Sequence, residues 1–179
     1  MRCSLESVNG SGPLALRDRA LLETAYASAA RRSELAGLDV GSVDWANGVL
    51  RIRGKGERER IVPLTRAALL ALNRYLQDAR PRLGRESGDM ALFLSLRGGH
   101  RLGSAGLAGV IRRRAAAAGF DLAPHGIRRA VATYLVRRGA PIYQVKELLG
   151  HQSFRHLSRY SLPQTANVQR LLRRSRLNR

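Results

Sequence analysis

The sequence predicts a mainly α domain carrying one small antiparallel β-sheet, an α+β arrangement. Three observations predict it. Apolar residues recur at helical spacing over most of the chain. Prolines and glycines punctuate that pattern where helices would begin and end. A single stretch, "VDWANGVLRIRGKGERERIVPL", breaks into strand-like runs separated by turn residues. At 179 residues and 44% hydrophobic content, the chain suits one domain with a real core.

The elements follow in order. Residues 1–12 are rich in Ser, Asn and Gly and read as a flexible leader, with the domain proper over 13–179. From Pro13 to Leu38 the spacing of Leu14, Leu21, Leu22, Ala25 and Ala29 is helical, and Ser33 is placed to cap a second short helix, "SELAGL". Strands are predicted near 43–45, 49–53 and 59–63, with "NG" and "GKG" at the turns. Thr65 caps a helix expected to run to about Arg80 and stop at Pro81, and 82–90 reads as a loop. "ALFLSLRGGHRL" is a short extended segment and a turn. A helix over about 104–118 ends at Gly119. Another opens at Pro124 and ends at Gly139, and a third, "PIYQVKELLG", opens at Pro141 and closes at Gly150. A short segment at 153–159 and a last helix from about Gln164 complete the chain.

The formal net charge is +19 and the pI about 11.7. Such a charge bears on partners, not fold. Arginine supplies nearly all of it, since Lys55 and Lys146 are the only lysines. A G+C-rich coding sequence explains a shortage of lysine but not a shortage of acids. The planar guanidinium fork suits phosphate, which favours nucleic acid over a membrane surface or an acidic protein. One cysteine, Cys3, leaves no internal disulfide and no Cys-based zinc site. The start lacks an apolar h-region and no apolar run approaches the roughly 20 residues of a membrane span, so a cytoplasmic setting is expected.

Several residues have the type and spacing for chemistry, and each also has a plainer reading. His125 and Arg128 are three apart on one face of a helix start, where N–H groups and the dipole favour an anion; an ordinary polar first turn would look the same. Lys55 lies between glycines at a hairpin tip, within reach of a groove or merely solvated. Arg31 and Arg32 fall between two apolar helices, and Glu34 is spaced to hold the Arg31 guanidinium; a structural ion pair has the same pattern. His151 and Tyr160 would lie about 13.5 Å apart on opposite faces of one straight helix. They share a site only if the chain breaks between them, and Gly150, which ends the preceding helix, makes a break credible.

Taken together and in order, these segments resemble the tyrosine recombinases, the phage integrase family. "LRDRALLETAYASAARRSELAGLDV" is similar to the first conserved block, "RIRGKGERERIVPL" to the β-hairpin with a catalytic lysine, and "LAPHGIRRAVATYLV" to the His-x-x-Arg block. "IYQVKELLGHQS" is similar to the Leu-Gly-His block, and "RYS" nine residues on carries the nucleophile. The resemblance spans roughly 14–175.

It implies a catalytic set of Arg31, Lys55, His125, Arg128, His151 and Tyr160, with Glu34 buttressing Arg31. The two arginines would bind the scissile phosphate, and His151 would donate to one of its oxygens. His125 would move the tyrosine proton, Lys55 would protonate the departing 5′ oxygen, and Tyr160 would form a 3′-phosphotyrosyl link. It also implies double-stranded DNA as substrate, a homo-oligomer (dimer to tetramer) on DNA, and no metal or cofactor. The surplus arginines, Arg112, Arg113, Arg114, Arg137 and Arg138 among them, are then expected to touch backbone phosphates. The alternatives are a catalytically inactive DNA-binding remnant and a type IB-like topoisomerase activity.

Four positions depart from the family pattern. Ala29-Ala30 replaces the usual Gly-Leu, Arg32 a small aliphatic, and Arg129 a common histidine. The family's N-terminal core-binding domain is expected to be absent, as in a single-domain or truncated member.

Overall fold

The computed structural model describes residues 10, 12–54, 59–84, 88–119 and 126–150. The chain divides into two compact units, Met1–Val131 and Ala132–Arg179.

Helix α1 (Pro13–Ser28) is the most enclosed element of the first unit. Pro13 follows the Gly12 N-cap at the first helical position, where a missing N–H is harmless. Ala20, Leu21, Leu22 and Ala25 are buried, but so are Arg17, Asp18, Thr24 and Ser28. The buried hydroxyls close back on the helix: Thr24 donates to the Ala20 carbonyl and Ser28 to the Thr24 carbonyl, both at 2.7 Å.

The helix stops at Ala29, whose φ of 47° and ψ of 28° are left-handed. It is the one non-glycine residue with positive φ among the described residues. Helix α2 (Arg32–Ala36) begins just beyond. The expected cap at Ser33 is not the one used. Arg31 occupies the N-cap position, and its N–H donates to Glu34 Oε2 at 2.7 Å, so a carboxylate inside the helix reaches back to satisfy the start.

A 3₁₀ turn (Val40–Ser42) leads into the sheet: β1 (Val43–Asp44), β2 (Val49–Arg53) and β3 (Glu59–Pro63), in the order β1-β2-β3. Both pairings are antiparallel, with Leu50 opposite Val62 and Ile52 opposite Arg60. The three strands match the sequence expectation within one residue. Alternation turns Leu50, Ile52 and Val62 into the core.

Thr65 caps helix α3 (Arg66–Arg74) as predicted, its Oγ1 accepting the Ala68 N–H at 3.1 Å. The expected stop at Pro81 does not occur. Residues Tyr75–Ala79 widen into a π turn, and α4 (Arg80–Leu83) carries Pro81 onward. Proline lacks an N–H and clashes with the carbonyl four residues back. The widened turn comes just before the proline, where the Arg80 N–H reaches the Tyr75 carbonyl, five residues back. Ala68, Leu72, Tyr75 and Ala79 keep one buried face through the change. Tyr75 stacks on Phe93, with ring centroids 5.9 Å apart.

The extended segment that follows adds backbone pairs to the core, with the Leu92 N–H on the Leu38 carbonyl and the Leu102 N–H on the Phe93 carbonyl, both at 2.8 Å. Helix α5 (Ser104–Ala117) then buries Leu107, Val110 and Ile111. Helix α6 (Gly126–Arg137) begins in the first unit and ends in the second.

The second unit, over its described residues, holds the end of α6 and α7 (Ile142–Leu149). The expected punctuation is present: Gly139 (φ 84°) follows α6, Pro141 caps α7, and Gly150 (φ 59°) closes it. The Arg138 guanidinium lies 5.4 Å from the centre of the Tyr134 ring. Among the described residues no helix is long and apolar enough to cross a membrane.

Candidate functional site

The break between α1 and α2 gathers charge. Arg31 sits at the start of α2, and its Nη1 donates to Glu34 Oε1 at 2.7 Å. From β3, Arg60 grips the same carboxylate with two prongs, Nη1 to Oε1 at 3.1 Å and Nη2 to Oε2 at 2.7 Å. With the Arg31 N–H on Oε2, the carboxylate accepts four hydrogen bonds, about its full capacity. The Glu34 side chain is 4% exposed, that of Arg60 15%, and that of Arg31 41%. Burial pushes the Glu34 carboxyl up, but the hydrogen bonds from Arg60, the Arg31 backbone and the Arg31 side chain outweigh it and hold its pKa at about 2. Glu34 is therefore a fixed anion, and Arg31 is an arginine oriented by it whose side chain stays 41% exposed.

Arg128 arrives at the same turn from α6. Its Nη1 donates to the Ala29 carbonyl at 2.7 Å. The acceptor belongs to the left-handed residue two positions before Arg31, so the strained peptide is the one that the second arginine touches. The two arginines expected from sequence to bind one anion are thus placed around one three-residue turn. A left-handed residue normally calls for glycine. Here alanine, the departure noted in the sequence, adopts the same conformation, with its methyl group fully buried.

Lys55, His125, His151 and Tyr160 lie outside the described residues. The helix end expected just before His151 is present at Gly150. The arginines at 112–114 divide, correcting the expectation that all three serve an external anion. Arg114 Nε donates to the fully buried Asp18 at 2.8 Å, and Arg113 Nη2 lies 3.5 Å from the same Oδ2. Arg114 is a structural partner, whereas Arg113 remains 62% exposed. Among the described residues no group of three His, Cys, Asp or Glu side chains is placed to hold a metal ion.

Sequence reasoning missed Arg60. The signal was there in the strand. Glu59, Ile61 and Pro63 face outward in β3, so Arg60 shares the inward face with Val62. An arginine on an inward face demands a carboxylate. Beside this corner runs a polar groove of about 420 Å³, lined by Glu34, Asp39, Ser42, Arg51, Arg53 and Glu59 among others.

The model of the phage integrase family matches residues 4–166. A tyrosine recombinase XerC of Herpetosiphon aurantiacus is 45% identical over 144 residues, covering 80% of this chain and 47% of that protein. A tyrosine recombinase XerD of Mycobacterium tuberculosis is 42% identical over 154 residues, covering 84% of this chain and 49% of that protein. The chain spans about half the length of the curated relatives it matches.

Among solved structures, the XerA recombinase is similar with a TM-score of 0.78 at 24% identity, over 97% of this chain and 62% of that one. The XerH site-specific recombinase bound to difH substrate gives 0.79 at 23%, over 96% and 51%. At those identities the likeness is one of fold, a mainly helical domain with a small antiparallel sheet. With most of its length matched by one family model, the chain belongs to the phage integrase family.

Proposed function

We propose that this chain is the strand-breaking and rejoining domain of a site-specific tyrosine recombinase acting on double-stranded DNA in the cytoplasm. The observation that carries the reading is the paired-arginine turn. Arg31 is oriented by a buried carboxylate, and Arg128 is anchored to the peptide just before it. A phosphodiester is anionic and resists a nucleophile, and a tyrosine hydroxyl with pKa near 10 is a weak one. Fixed positive charge at the phosphate answers both problems.

Arg31 and Arg128 bind the non-bridging oxygens of the scissile phosphate. Tyr160 Oη attacks phosphorus, the bond to the 5′ oxygen breaks, and a 3′-phosphotyrosyl ester forms. His125 accepts the tyrosine proton, Lys55 supplies one to the leaving 5′ oxygen, and His151 donates to a phosphate oxygen. Attack by a 5′ hydroxyl of a second strand reverses each transfer, so the ester bond energy is conserved. Exchange between duplexes requires several copies, in keeping with a dimer-to-tetramer assembly on DNA. The net charge of +19 supports phosphate contact beyond the scissile one.

The test is covalent trapping on a nicked duplex that loses its 5′ fragment after cleavage. The wild-type chain is expected to accumulate a protein–DNA adduct, and Tyr160→Phe to form none while still binding. Binding without any wild-type adduct across a range of substrates would overturn the reading in favour of a non-catalytic DNA-binding protein.

A further inference from the structure

The residue roles proposed above leave Arg60 without a task, yet both of its terminal nitrogens donate to the Glu34 carboxylate. We infer that Arg60 is a positioning residue, whose two-pronged hold on Glu34 orients Arg31 and ties the β2–β3 hairpin to that arginine. The inference rests on the proposed strand-transfer chemistry.

Three observations carry it. First, the Glu34 carboxylate is shared oxygen by oxygen: Oε1 takes one N–H from Arg31 and one from Arg60, and Oε2 takes the Arg31 backbone N–H and the other prong of Arg60. A carboxylate held by four hydrogen bonds is fixed in orientation, and so offers the Arg31 Nη1 one acceptor in one place. Second, Arg60 Nε is buried and finds no hydrogen-bond acceptor among the described residues. A buried, unpaired donor is unfavourable, and a lysine would lack that Nε altogether. The fork geometry, not charge alone, is what this position supplies. Third, Arg60 lies on β3 opposite Ile52, and Lys55 falls between β2 and β3 in the sequence. The clamp therefore ties β3 to Glu34, 26 residues away in sequence, and through it to Arg31.

The other charges beside Glu34 have partners elsewhere. Arg51 pairs with Asp44, Arg53 with Glu59, and Asp39 with Arg101. Removing Arg60 leaves a buried carboxylate supported by Arg31 alone, and burial then favours its neutral form.

The experiment uses the full chain with Arg60→Met and Arg60→Lys. Single-turnover adduct formation on the nicked duplex is followed between about pH 4.5 and 8, alongside DNA affinity and ¹³C titration of the Glu34 carboxyl. In the wild type, Glu34 should contribute no acid limb in that range. Arg60→Met should slow adduct formation by about ten- to a hundredfold near neutrality at little-changed DNA affinity. A new fall toward acid should track Glu34 protonation. Arg60→Lys should recover part of the rate.

Wild-type rate and pH profile in Arg60→Met would overturn the inference. So would a loss that is uniform across pH and matched by a loss of folded protein. Should Arg60→Met fail to fold, Arg60→Lys decides alone: slower cleavage at unchanged affinity supports the clamp, and wild-type cleavage overturns it. Absence of adduct in the wild type itself would instead remove the strand-transfer reading. Loss confined to the Arg60 variants leaves that reading standing and supports this one.

Discussion

Two carboxylates in the first unit are surrounded by arginines, and they are used differently. Asp18 on α1 is fully buried and accepts from Arg17 at 3.0 and 2.7 Å, from Arg114 at 2.8 Å and, at the limit, from Arg113 at 3.5 Å. Arg17 also donates to the Leu94 carbonyl at 3.1 Å, so the cluster joins α1, α5 and the extended segment. Of its two close partners, Arg17 is buried and Arg114 is 25% exposed. Glu34 is nearly as enclosed, but it holds one covered arginine, Arg60, and one exposed arginine, Arg31. The same ion-pair chemistry is a staple when its close partners are mostly covered. It becomes a mount when one partner faces outward, because the order of the core is passed to a charge that solvent and ligands can reach.

The contrast can be broken first at Asp18. Asp18→Ala strands buried Arg17 and should destabilise the protein by about 3–5 kcal/mol in chemical denaturation, with any folded fraction still forming adduct. Unchanged stability with abolished cleavage would reverse the assignment of staple and mount.

Glu34→Gln keeps the shape and loses the charge. It should lower stability by about 1–2 kcal/mol, yet reduce single-turnover cleavage by about tenfold or more through a misdirected Arg31. The same variant sharpens the comparison through pH. The Glu34 pKa is about 2 folded against an ordinary 4.5, so its stabilisation is fully present above about 4.5 and is lost as pH falls toward 2. Denaturation curves of the wild type should show that slope, and Glu34→Gln should show less of it.

The smallest expected effect is at the turn itself. Ala29→Gly removes a left-handed penalty of about 1–2 kcal/mol, but the freer unfolded chain and the loss of a buried methyl worth about 0.8 kcal/mol offset most of it, so thermal stability should change by less than about 1 kcal/mol. Arg128 should keep its acceptor.

What could be read from the sequence was the local part. The Thr65 cap, the strands around Asn47-Gly48, the glycine stops at 139 and 150, and the Arg31–Glu34 spacing all depend on neighbours within one or two turns of chain. Arg60 and Arg114 were not legible in the same way. Each is one arginine in a charged run, and its role is decided by a carboxylate 26 or 96 residues distant. Pro81 misled for a related reason. The rule that proline ends a helix weighs only the local clash, whereas the buried row through Leu72, Tyr75 and Ala79 favoured keeping the helix and widening one turn. Of the candidate site, both arginines fall at one turn, and four of the six named residues lie outside the described residues.

The acceptor for Arg128 is a main-chain oxygen. Every amino acid at position 29 would present the same atom, so alanine scanning is blind to this contact from that side. A saturation library at 29 should report only size and backbone handedness, tolerating Gly and Ala and rejecting β-branched residues, and would pass for a packing position. The contact becomes visible only when the backbone is altered, as in an amide-to-ester replacement that weakens the carbonyl, or when Arg128 is changed. A family can therefore vary the residue at this point freely within those limits while the hydrogen bond beneath it stays constant.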